Sequence, residues 1–197
     1  NKIFELEGTI IRPVFKPLVH LFDNLKESIV PLAEENRIDN DIHAVEWCIE
    51  NGLYQQAITI ACELPITVTC LLGEKEIVQT ARKEANTILK SALKIYEKNN
   101  DINPEKIHTS PKYSGFVKAV EKFTEWDKEL ALGVLKKIIS KKEFLRSLHL
   151  INEYRNEINH AGFRSNPIPG ERIVRNFIRE FAIFKYEIKK LLNDYSV

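Results

Sequence analysis

The segment EYRNEINHAGF, residues 153–163, gathers Arg155, Asn156 and His160 within six positions. Helical apolar spacing runs up to it, so it reads as the end of a long amphipathic helix. At about 100° per residue, Asn156 and His160, four apart, share one face. Arg155 precedes His160 by five residues, about 140° round the helix, and only its length lets it curl toward the same place. Imidazole exchanges protons near neutral pH. A guanidinium offers two parallel donors to a phosphate as charge builds on it. Together they suit cleavage of a phosphodiester. His160 would move a proton from a ribose 2′-hydroxyl or onto the departing 5′-oxygen, Arg155 would hold the phosphate, and Asn156 would orient either partner. This chemistry requires no metal or other cofactor, and the sequence offers no obvious carboxylate cluster to hold a metal. Because the nucleophile is the 2′-hydroxyl, the substrate would be RNA rather than DNA. A plainer reading exists. Arg and His near a helix end also cap carbonyls or pair with a nearby carboxylate, here Glu153 or Glu157. The spacing R-x4-H does not by itself choose between the two.

Those residues need helices to hold them. Residues 1–15, NKIFELEGTIIRPVF, mix apolar side chains with Gly8 and Pro13 and read as a linker, a short strand or the end of a missing upstream domain. Residues 16–197 read as one α-helical domain. After Pro17 the apolar period is helical through Leu18, Leu21, Phe22, Leu25, Ile29 and Leu32, with Pro31 as a kink or restart. Asp39 or Asp41 can cap a helix carrying Ile42, Val45, Trp47 and Ile49. Gly52 stands where a left-handed helix end is wanted, and a second helix from Leu53 is expected to finish near Pro65. The nearby LPITVTCLL is the one short stretch beyond residue 15 with a strand-like look. Residues 75–98 give the clearest helical stripe, stopped by Asn99 and Asn100. DINPEKIHTSPKYSG is a loop, and helices are expected near 115–125, 127–139, 142–161 and 171–193, with GFRSNPIPG breaking the final two. The class is all-α, a bundle of helices.

Composition agrees with that architecture. The chain has 197 residues, the size of one domain, and 44% are apolar, enough for a real core. Charged residues make up 29%, but the net charge is only +1, so any anion site must be local. The three cysteines, Cys48, Cys62 and Cys70, have no zinc-ligand spacing; their apolar neighbours suggest buried thiols and a reducing cytoplasm. No run of about 18 apolar residues suggests a membrane span, and no signal pattern opens the chain. There is no methionine even at position 1, which suggests a fragment.

RNEINH resembles the R-N-x-x-x-H motif of the HEPN ribonucleases. HAVEWCIENGLYQQAITIACELP, residues 43–65, resembles the helical hairpin that precedes that motif in HEPN domains of CRISPR-associated proteins from type III systems. The shared features are the Trp, the Gly between the helices, the QQA and the Glu-hydrophobic-Pro close. The order fits too, with the motif on the penultimate helix and one long helix after it. The resemblance covers roughly residues 40–195 and leaves large gaps unassigned. It implies a HEPN-like bundle in which two domains pair and two Arg/His sets form one composite cleft. Arg155 and His160 would then be catalytic, with Asn156 positioning them. Single-stranded RNA would be cut to a 2′,3′-cyclic phosphate and a 5′-hydroxyl without metal. Such proteins usually carry an upstream CARF domain that binds cyclic oligoadenylate, and this chain would be the C-terminal piece beyond one.

Other charged side chains are candidates for guiding RNA. Lys136, Lys137, Lys141, Lys142 and Arg146 precede or open the motif helix, and Arg164 follows His160 closely. Arg172, Arg175 and Arg179 form a ridge at helical steps on the last helix, although such ridges are often only solvated faces. Trp47 and Trp126 could stack bases, though Trp47 sits in the apolar hairpin and reads as core. His43 and Glu46 lack a second metal-binding pair, and His149 reads as structural or as part of a dimer seam. Two rival readings stand beside the CRISPR nuclease: an inert helical module for dimerisation or RNA binding, and the toxin of a HEPN toxin–antitoxin pair.

Overall fold

The computed structural model describes residues 37–98, 114–160 and 168–194. Within them run seven helices and no strand: α1 (Arg37–Glu50), α2 (Tyr54–Leu72), α3 (Gln79–Glu97), α4 (Ser114–Val120), α5 (Lys128–Ile139), α6 (Lys142–Asn159) and α7 (Gly170–Asn193). The all-α bundle expected from the apolar spacing is therefore what forms. The linker, the helix expected after Pro17 and the loop before α4 lie outside the described residues, as does most of the break between α6 and α7.

α2 is the axis of the bundle. It packs on α1, α3, α6 and α7. From Leu64 to Cys70 every side chain is buried, whichever way it faces. This corrects two expectations. The helix does not finish near Pro65, which lies inside it, and the strand-like LPITVTCLL is its second half. A proline removes one helical N–H, a tolerable loss where surrounding helices fix the backbone. By length and a mean hydropathy of 1.3, α2 could cross a membrane, but 67% of the relevant window is buried inside the bundle. It is a core helix.

The turns show why the elements stop where they do. Gly52 takes φ of 71°, the left-handed conformation expected of it. Its N–H donates to Ile49 O at 3.1 Å and Leu53 N–H to Cys48 O at 2.8 Å, the paired bonds of a Schellman end. α5 is capped by Asp127, whose carboxylate accepts from Leu130 N–H at 2.7 Å. Asp39 and Asp41, by contrast, lie inside α1 and do not precede it. α3 starts at Gln79, later than the stripe suggests, and α4 ends at Val120, earlier than expected. The turn after α4 is clasped by Glu84 of α3, whose carboxylate accepts the backbone N–H groups of Thr124, Glu125 and Trp126 at 2.7, 3.0 and 3.2 Å.

α6 and α7 lie against each other. Phe144 stacks on Phe184 with ring centroids 5.3 Å apart. Lys141 at the start of α6 reaches Asp194 beyond the end of α7 at 2.6 Å, so the two helices run antiparallel. Further toward the C-terminal end of α6, Glu180, 2% exposed, accepts from Ser147 Oγ at 2.6 Å and is ion-paired with Arg146 at 3.0 Å. A carboxylate at that depth is tolerable only with such partners, and the pairing fixes the register of α7 on α6. Lys185 to Glu46, and Lys189 to Asp39 at 3.0 Å, tie α7 to α1.

Candidate functional site

α6 carries the motif on its last turn. Its buried stripe, Phe144, Leu145, Leu148, Ile151 and Tyr154, repeats at three- and four-residue steps and faces the core. Asn156 falls off that stripe and is exposed. His160 is also exposed, and its N–H donates to Asn156 O at 3.0 Å as the helix closes. The two are thus linked through the backbone one turn apart, with both side chains open to solvent.

Arg155 stands differently. It is half-buried where α6 packs on α2, and its positive charge acts on the thiol of Cys62. Burial pushes that thiol up to about 11, against the downward pull of the guanidinium. The structure places Arg155 beside the exposed pair in sequence but turns its head toward α2. Cys62 as its partner was not foreseeable from spacing, since the two residues meet only through the packing of α6 on α2.

The cations expected to guide RNA are spread out. Lys141, Lys142 and Arg146 occupy the opening of α6, about 20–28 Å along the axis from His160 at about 1.5 Å per residue. Lys141 is paired with Asp194, and Arg146 with Glu143 at 2.9 Å as well as Glu180. Lys142 is exposed, and Arg164 lies outside the described residues. Because α7 runs antiparallel to α6, its first turns, which carry Arg172, start toward the motif end of α6.

Several candidates find structural explanations. Trp126 is 2% exposed and its ring presses on Gly73, so it is a core residue and unavailable for stacking a base. Trp47 is half-buried against the core. His149 Nδ1 lies 3.2 Å from Glu97 Oε1 and helps join α6 to α3. Glu46 is held by Lys185. Cys48, Cys62 and Cys70 are buried free thiols. Among the described residues no three His, Cys, Asp or Glu side chains gather as a metal site would need.

What the arrangement offers is a proton-transfer group and an amide, both open to solvent at a helix end, with a guanidinium one residue away. No protein-family model, no curated protein and no solved structure matches the chain.

Proposed function

We propose that the chain is a HEPN-like endoribonuclease domain that cleaves single-stranded RNA without metal, as the effector part of a type III CRISPR antiviral system. It acts in the cytoplasm as a homodimer, with two copies of the α6 end forming one cleft. Cyclic oligoadenylate enters only through an upstream CARF domain. In the reaction one His160 takes the proton of the 2′-hydroxyl, whose oxygen attacks the adjacent phosphorus. The bond to the 5′-oxygen breaks and that oxygen receives a proton from the second copy's His160, leaving a 2′,3′-cyclic phosphate and a 5′-hydroxyl. Arg155 faces the charge that gathers on the phosphate, and Asn156 orients the reacting groups.

The observation that carries this reading is the exposure of Asn156 and His160 together on the final turn of the penultimate helix. Residues that served only the core would be covered there. A specific observation favours a second reading: Arg155 is engaged by Cys62, as an arginine in an inert dimerisation or RNA-binding module could be. Both readings are separated by incubating labelled single-stranded RNA with the chain in excess EDTA. Cleavage should proceed, and His160→Ala and Arg155→Ala should each slow it by at least about a hundredfold, the scale of losing a proton-transfer group or an oxyanion donor. Undiminished cutting by His160→Ala would remove the site, and no cutting by the parent would leave the module.

A further inference from the structure

The net charge of the chain is +1, yet one helix face is strongly cationic. On α7 every exposed residue from Arg172 to Lys190 is basic or uncharged: arginine at 172, 175 and 179, lysine at 189 and 190, and Ile178, Ala182 and Tyr186 between them. The acidic residues of the same span, Glu180 and Glu187, fall on other sides, Glu180 being buried. At about 100° per residue, Arg172, Arg175, Arg179, Tyr186 and Lys190 lie within about 60° of one another. That stripe is the pole opposite Ile173, Phe177, Phe184 and Ile188, which face the core. Tyr186 is 64% exposed, the most open large hydrophobic side chain among those described.

We infer that this face of α7 is the track on which single-stranded RNA lies, with Arg172, Arg175 and Arg179 on its phosphates and Tyr186 stacked on a base. The inference rests on the RNA substrate proposed above and names where that substrate binds. Arg172, Arg175 and Arg179 rise by about 4.5 and 6 Å at successive steps, so one strand can meet them in turn. Arginine holds phosphate with two donors, and none of the three is held in an ion pair among the described residues. An exposed aromatic ring beside a line of cations is the combination that holds unpaired bases, whose faces a duplex hides. The direction fits as well: α7 starts at the motif end of α6, so the track leads away from His160. A second copy of the chain is a poor occupant, since two-fold pairing would set the same cations against each other. A membrane surface fits no better. The apolar face of α7 is buried in the bundle and leaves only Ile178, Ala182 and Tyr186 outside.

The test is fluorescence anisotropy of labelled single-stranded RNA on the intact chain carrying His160→Ala, so that binding is read without cutting. Replacing Arg172, Arg175 and Arg179 together by Gln should weaken binding at least tenfold and lower the slope of log affinity against log salt by about 2, three single-strand phosphate contacts at about 0.7 each. Tyr186→Ala should weaken binding roughly 5- to 100-fold, and Tyr186→Phe should restore most of it. All the altered side chains are exposed, and unchanged circular dichroism will show that the fold persists. Parent-like binding by either the triple variant or Tyr186→Ala overturns the track. Equal affinity for phosphatidylserine vesicles overturns it too, as a membrane face. The nuclease reading fails separately: binding governed by α7 with no cleavage by the parent chain keeps the track and removes the nuclease, whereas cleavage with α7 variants binding normally does the reverse.

Discussion

Arg155 and Cys62 meet where α6 crosses α2, and the pair has measurable consequences. Burial raises the Cys62 thiol to about 11 and the guanidinium only partly offsets it, so the group is a neutral thiol at physiological pH. The folded value lies above the unfolded one, so the folded state holds that proton more tightly. The contribution to stability is full below about 9 and is lost as pH rises toward about 11, where the unfolded chain has already released the proton. Two outcomes are expected. The native chain at pH 8 should leave Cys62 unlabelled by iodoacetamide until denaturant is added, and Cys62→Ala should show a shallower alkaline fall in urea midpoint than the parent. Labelling of native Cys62 at the rate of an open thiol would contradict the burial. The buried thiols and the motif spacing were legible from residue types, because apolar neighbours and four-residue steps are local facts. The Arg155–Cys62 contact was not, since it depends on which helices pack together. Nor was the commitment of Arg146 and Lys141 to Glu180 and Asp194.

At the scale of elements, the end of α2 shows how one packing demand displaces another. Lys75 N–H donates to Cys70 O at 2.9 Å and Glu74 N–H to Leu71 O at 3.0 Å, again a Schellman end. The left-handed position belongs to Glu74, at φ 51°, although a glycine stands one residue earlier. Gly73 is needed where it is: a Cβ there would lie 2.3 Å from two ring atoms of the buried Trp126. Gly73→Ala should therefore destabilise the chain by about 1–3 kcal/mol, as overpacking against a fixed ring does. Glu74→Gly should stabilise it by about 0.5–1 kcal/mol by relieving the left-handed strain. Urea denaturation of both variants checks the pair, and a loss of stability in Glu74→Gly would refute the strain argument. Element boundaries marked by local chemistry, such as Gly52 and Asp127, could be read in advance. The second half of α2 could not. A helix covered on all sides has no amphipathic period, and Ile66, Thr67, Val68 and Thr69 carry the β-branched pattern of a strand. Burial against four neighbouring helices outweighs that preference.

For the whole molecule the question is whether one chain can complete the proposed reaction. One proton must leave the 2′-hydroxyl and one must reach the 5′-oxygen, and a single chain presents one imidazole at the end of α6. In the proposed dimer a second copy would supply a second His160 and a second Arg155, so that one ring would act as base while the other acts as acid. The exposure of Asn156 and His160 leaves that helix end open to such an arrangement. Activity per chain should then fall on dilution, in step with dissociation of the dimer measured by mass in solution, and recover on reconcentration. Adding an excess of His160→Ala chains to parent chains should lower the cutting per parent chain, because a mixed cleft keeps one imidazole and cannot act as base and acid together. Constant activity per chain well below the concentration at which the protein becomes monomeric would mean that each chain works alone. The composite cleft would then be wrong even if His160 proved essential.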